Sequence, residues 1–182
     1  LRFCRKLARP FLPIPVPRGY ERQRLIDANY EKSGVARASR PLSPADLRGV
    51  ESKLNRKNFN WLLLSVWFGL RPKEVDSLHS KDLWRVETLP SGRKLLWVFQ
   101  RKIIALPQED RWKPIPILFS EQHFALQVTE SGNFRRPLRK ILRKNFGSGV
   151  TLYAGRKGFT DLMLSKNQSL ENISIWMGHS SL

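Results

Sequence analysis

The segment Asn58-Phe-Asn-Trp-Leu-Leu-Leu-Ser-Val-Trp-Phe constrains this chain more than any other. Wound as a helix, it is apolar on nearly every side, so it has to be buried. The spacing therefore predicts a central helix over about 58–68. The apolar stretch Trp61 to Leu70 is too short to cross a bilayer and already contains Ser65 and Gly69. Gly69 is a natural stop, and Pro72 suits the first position of a further helix running to about His79. Upstream, Pro41-Leu-Ser-Pro-Ala-Asp opens the compact part of the chain. Ser43 is a good N-cap, Pro44 fits the first helical position and Asp46 completes the capping pattern. Leu47, Val50 and Leu54 then share one face.

Beyond His79 the period changes. Trp84 to Thr88, Lys94 to Ile104 and Trp112 to Leu118 read as strands, with a turn at Pro90-Ser-Gly and a loop at Pro107-Gln-Glu-Asp. Helices return over Pro137 to Lys144, Ala154 to Ser165 and Leu170 to Met177. The expected class is α+β and mainly helical, with helices around a small antiparallel sheet and no internal repeat. Residues 1–40 differ in kind: they hold ten Lys/Arg against three acids, and Pro10-Phe-Leu-Pro-Ile-Pro-Val-Pro-Arg suits neither helix nor strand. They read as an extended linker or arm with a short helix around Glu21 to Tyr30, either a solvated tail or an arm lying along a partner. Residues 41–182 form the compact domain.

Charge indicates the class of partner. Thirty-three Lys and Arg against fifteen Asp and Glu leave a formal net charge of +18, which favours a polyanion. No segment has the basic, amphipathic character of a membrane-surface helix, and prolines interrupt the apolar run after the basic N-terminus, so no signal peptide is read there. The single cysteine, Cys4, rules out an intramolecular disulfide framework and fits a reducing cytoplasm. Guanidinium forks match phosphate oxygens at two points, so nucleic acid is the first choice.

Three residues stand out as chemistry. Arg71 directly precedes a helix start, where a cation opposes the helix dipole unless an anion binds or Glu74 pairs with it. Arg156 lies one turn before Phe159, on the apolar side of its helix. A guanidinium there needs an anion or a set of acceptors, and an internal salt bridge to a distant carboxylate is the structural alternative to a bound ligand. His179, in Met177-Gly-His-Ser-Ser, is either a structural histidine or a ligand-facing one. Separately, the stretch Phe134 to Asn145 carries Arg135, Arg136, Arg139, Lys140, Arg143 and Lys144 and no acid. Leu138, Ile141 and Leu142 are expected to face inward, leaving the cations to contact a phosphate backbone. No Gly-rich phosphate loop or Cys/His zinc spacing is present, and the spacing of Glu51, Glu74 and Asp76 does not suggest a metal site.

Together these pieces resemble the catalytic domain of the tyrosine recombinases, the phage integrase family. Phe68-Gly-Leu-Arg-Pro-Lys-Glu-Val-Asp-Ser-Leu resembles the first arginine box of that family. Leu152-Tyr-Ala-Gly-Arg-Lys-Gly-Phe-Thr is similar to the second, and Ile175-Trp-Met-Gly-His-Ser-Ser-Leu to the Leu-Gly-His-Ser box. The resemblance covers about residues 41–182. It implies that Arg71 and Arg156 hold a scissile phosphate and that His179 donates a hydrogen bond to it. It also implies a lysine on the sheet as general acid: Lys102 best matches, with Lys94 and Lys113 as alternatives. Tyr153 stands where the family usually has His or Lys, and its hydroxyl can donate a hydrogen bond but carries no positive charge at neutral pH.

The implied reaction needs no metal or nucleotide. A tyrosine attacks a phosphodiester of double-stranded DNA, forming a 3′-phosphotyrosyl link and releasing a 5′ hydroxyl, and a second 5′ hydroxyl reverses the step. Tyr20, Tyr30 and Tyr153 are all misplaced for that role, so the nucleophile is expected beyond Leu182. The resemblance further implies a homotetramer on recombination sites and a DNA-associated, cytoplasmic protein of bacterial or phage origin. Three alternatives stay open: a telomere resolvase with the same chemistry, a non-catalytic DNA-binding relative, and a basic RNA-binding protein of another class.

Overall fold

A computed structural model describes residues 39–101 and 107–179. The chain divides into two units, Leu1–Ala38 and Ser39–Leu182, and every described residue belongs to the second. The arm reading of residues 1–40 thus lies outside the described residues, apart from Ser39 and Arg40. Seven α-helices and a three-stranded antiparallel sheet make the described part a mainly helical α+β domain. In chain order these are α1 (Pro44–Arg48), α2 (Arg56–Phe68), α3 (Pro72–Ser77), β1 (Trp84–Thr88), β2 (Lys94–Phe99), β3 (Trp112–Pro116), α4 (Ser120–Ser131), α5 (Arg139–Phe146), α6 (Ala154–Ser165) and α7 (Leu170–Met177).

Helix α2 is the centre. Every residue from Asn58 to Phe68 is buried, as an all-round apolar helix demands. It packs against α6 on one side and α4 on another. The sheet contributes a second apolar face. Its register aligns Trp84, Val98 and Lys113 in one row and Val86, Leu96 and Ile115 in the next. Both rows point into the domain, so a lysine lies within an otherwise apolar layer. On the opposite face Arg85 sits over the rings of Trp97 and Trp112, 5.6 and 5.0 Å from their centroids. Helix α7 packs on β3, which brings the end of that helix to the sheet.

Local chemistry sets the boundaries. The Asp46 amide donates to Ser43 Oγ and the Ser43 amide donates to the Asp46 carboxylate, forming the expected capping box at α1. Strand β2 ends at Phe99, earlier than the sequence suggested, and residues 102–104 of the expected extension lie outside the described residues.

Two expectations need correction. Helix α4 was not foreseen: its inner face is built from Gln122, Ala125, Leu126, Val128 and Thr129, which dilutes the apolar period. Helix α5 starts at Arg139 rather than Pro137. Leu138 is its extended N-cap residue, 60% exposed rather than inward, and Pro137 is buried beside it.

Gln122 joins α4 to α2. Its Nε2 donates to the Trp67 carbonyl at 2.9 Å, and its Oε1 accepts from the amides of Leu118 and Phe119. Gln122→Leu keeps the volume but leaves three backbone groups without their partner. Unfolding in urea should show a loss of about 2–4 kcal/mol, because each buried polar group left unmatched costs about 1–3 kcal/mol and partial rehydration offsets some of it.

Candidate functional site

Three segments far apart in sequence meet at one place. Helix α2 ends on Gly69, in the left-handed region at φ 62°, where an added Cβ would lie 2.5 Å from the Phe159 ring. The carbonyl of Gly69 accepts from Arg156 NH1 at 2.7 Å. Arg156 NH2 donates to the Met177 carbonyl, also at 2.7 Å. Arg71 NH2 reaches the next carbonyl, that of Gly178, at 3.1 Å. The two guanidinium groups therefore hold the C-terminal end of α7 between them. Gly178 caps that helix at φ 66°, and an added Cβ would lie 1.9 Å from Gln100 Oε1. His179 follows immediately, exposed, with its amide bonded to the Ser174 carbonyl at 3.0 Å.

One carboxylate organises the cations. Glu74 Oε1 accepts from Arg71 NH1 at 2.7 Å, while its Oε2 accepts from the Arg71 amide at 2.8 Å. The same Oε2 takes the ammonium of Lys113 at 2.7 Å. Glu74 thus caps α3 at its third position, pairs with Arg71 and neutralises a buried lysine. Arg71, Lys113 and Arg156 against Glu74 leave two positive charges uncompensated in a mostly buried setting.

The titration behaviour follows from this crowding. Burial pushes the Glu74 carboxyl up, but Lys113 and Arg71 together hold it below its ordinary value. Burial drives Lys113 down to about 8; Glu74 pulls it back up, and Arg156 and Arg71 add to the lowering. Arg156 falls to about 10, first by burial and then by Arg71, so it stays charged at neutral pH. His179 is lowered by burial and by Arg156, Arg71 and Lys113, which favours the neutral imidazole.

Of the residues singled out in the sequence, Arg71, Arg156 and His179 are brought together. Tyr153 is the exposed residue that precedes α6, three residues before Arg156. Lys102 lies outside the described residues. Among the alternatives, Lys94 is exposed at the start of β2, whereas Lys113 is only 1% exposed and enclosed with Glu74. Arg135, Arg139, Lys140, Arg143 and Lys144 are exposed, and no hydrogen bond among the described residues ties their side chains to the arginine site. Arg136 is instead paired with Asp76, which also accepts from Trp61 Nε1 at 2.8 Å. A residue that the sequence reading missed is Gln100, 5% exposed, whose Oε1 lies 3.5 Å from Arg71 NH1. Strand alternation carried that signal: with Leu96 and Val98 inward, Gln100 falls on the same side.

Comparison of the chain with known protein families, curated proteins and solved structures finds no match. Among the described residues, no helix is long and apolar enough to cross a membrane, and no three His, Cys, Asp or Glu side chains are grouped to hold a metal ion.

The buried lysine has a measurable signature. An unfolded lysine keeps its proton to about pH 10.4, whereas folded Lys113 releases it near 8. Between those values the unfolded state binds the extra proton, so stability rises with pH. Thermal melts of wild type and Lys113→Met from pH 7 to 10 should show the wild-type Tm gaining on the variant as pH rises. A constant difference would show that the ammonium is not titrating there.

Proposed function

We propose that this chain is a DNA phosphodiester-handling domain of the tyrosine-recombinase kind, with Arg71, Arg156 and His179 around the phosphate. The observation that carries this reading is the residual capacity of the two arginines. A guanidinium has five N–H donors. Arg71 spends three, on Glu74, Gln100 and Gly178, and Arg156 spends two, on Gly69 and Met177. The remaining donors meet no acceptor among the described residues. With two positive charges uncompensated, the site is short of an anion with several acceptor oxygens, and a phosphodiester supplies one.

In this reading the bonds to backbone carbonyls fix both guanidinium planes before DNA arrives. Charge building on the non-bridging oxygens during phosphoryl transfer then meets donors that need not reorganise. Neutral His179 donates one ring N–H to the same phosphate. Tyr153, exposed beside Arg156, is assigned a hydrogen bond to the DNA backbone rather than the attack on phosphorus. The attacking group is a tyrosine hydroxyl, which gives its proton to water as it forms a 3′-phosphotyrosyl link, while the 5′ oxygen leaves with a proton from a lysine, Lys102 in this assignment. Recombination between duplexes by a homotetramer, in a DNA-associated setting, belongs to the same proposal. Tyr153 favours a second reading, DNA binding without catalysis, because a phenol cannot supply the positive charge of a histidine or lysine there.

The exposed cations of α5 would follow the duplex backbone. Fluorescence anisotropy with a labelled duplex tests both parts. Arg71→Ala and Arg156→Ala should each weaken binding about ten-fold or more, since hydrogen bonds to charged groups contribute about 1.5–3 kcal/mol. Wild-type affinity in both variants, with melting confirming their folds, would overturn the reading. Neutralising Arg139, Lys140, Arg143 and Lys144 together should instead lower the slope of log affinity against log salt, by about 0.9 for each DNA phosphate that the helix no longer neutralises.

A further inference from the structure

We infer that Lys113 is a positioning residue for the phosphate site: from behind it, the ammonium engages Glu74 and so leaves the charge of Arg71 and Arg156 available to a bound anion. This rests on the reading of the site given above. Lys113 occupies an inward strand position in the same row as Val98 and Trp84, with Ile115 next inward on its own strand. Any aliphatic side chain would satisfy that layer, and burying an ammonium costs several kcal/mol before pairing. Its charge therefore calls for an explanation beyond packing.

Without Lys113, Glu74 and Arg71 would form a closed pair of opposite charges, with both carboxylate oxygens turned to one residue. Lys113 takes part of Oε2 at 2.7 Å and changes the balance. One carboxylate is then divided between two cations, and Arg71 keeps an excess of charge next to Arg156. At 1% exposure, Lys113 cannot touch DNA itself. It acts through Glu74 and through the field that it adds to the site. The charged and titratable groups facing it are Arg71 and Glu74 from α3, Arg156 from α6 and His179 after α7, while β2 presents Val98. Of the three cations, Lys113 loses its proton most readily, near pH 8. The net charge of the cluster then falls from two to one, and its hold on an anion should weaken.

The test measures duplex affinity by anisotropy from pH 6.5 to 9.5 at fixed ionic strength. The proteins are wild type, Lys113→Arg, Lys113→Met and the double variant Arg71→Ala/Arg156→Ala. The affinity of wild type relative to the double variant should fall as pH passes about 8. The fall should be roughly ten- to thirty-fold, the effect of one unit charge about 8–12 Å away at an effective dielectric near 20. Lys113→Arg, whose charge does not titrate, should hold the higher affinity across the range. Lys113→Met should sit on the lower plateau throughout. A flat wild-type ratio through pH 8, or the same fall in Lys113→Arg, would overturn the inference; a fall kept by that variant belongs to another group, such as the terminal amine. Should one Lys113 variant fail to fold, the wild-type profile and the other variant still decide. Wild-type binding by the double variant at pH 7 would instead sink the phosphate-site reading, whatever Lys113 does.

Discussion

Glu74 is the carboxylate on which the arrangement depends. A buried cluster of Arg71, Lys113 and Arg156 cannot persist on packing alone, because each charge has given up much of its water. Glu74 meets that demand with two oxygens while also capping α3 through the Arg71 amide. Helix start, sheet interior and arginine site are thereby joined at one group. The same economy leaves the cluster short of negative charge, and that shortage makes the site a candidate for binding rather than a closed salt-bridge network.

The arginines are structural and available at once. Arg156 ties the end of α2 to the end of α7 through two carbonyls, and Arg71 adds a third bond at Gly178. Backbone carbonyls are fixed acceptors, so the guanidinium planes are set by the fold rather than by a ligand. Such preorganisation places donors before charge develops, which is where electrostatic stabilisation is worth most. It also makes these positions sensitive: each arginine carries both local fold and site, and the glycines at 69 and 178 have no room for a side chain.

Much of this was legible in the sequence. The all-round apolar character of residues 58–68 announced a buried helix, and Ser43 with Asp46 announced its own cap. Gly69 marked the end of one helix whose carbonyl Arg156 holds, and the helix read over Leu170 to Met177 ended at the other. That Arg156 needed acceptors was readable from its place on the apolar face. Which acceptors it finds was not, because both lie on other elements. Lys113 and Gln100 were readable in principle, since period-two alternation puts Lys113 on the inner face of β3 and, carried one residue past the end of β2, puts Gln100 on the same side. Yet a polar residue at an inward position reads first as a break in the pattern. Helix α4 was missed because glutamine, alanine and threonine line its inner face. The pairing of Arg136 with Asp76 joins groups 60 residues apart, which local pattern cannot foresee.

The central claim is that Arg71 and Arg156 offer their free donors to one phosphate. Side-chain nitrogen NMR resonances of individually assigned arginines report this directly when duplex DNA is added at moderate salt. The account predicts that Arg71, Arg156 and the His179 ring shift together and that exchange of their N–H protons with water slows. Unchanged Arg71 and Arg156 signals, with shifts confined to the exposed arginines of α5, would contradict it.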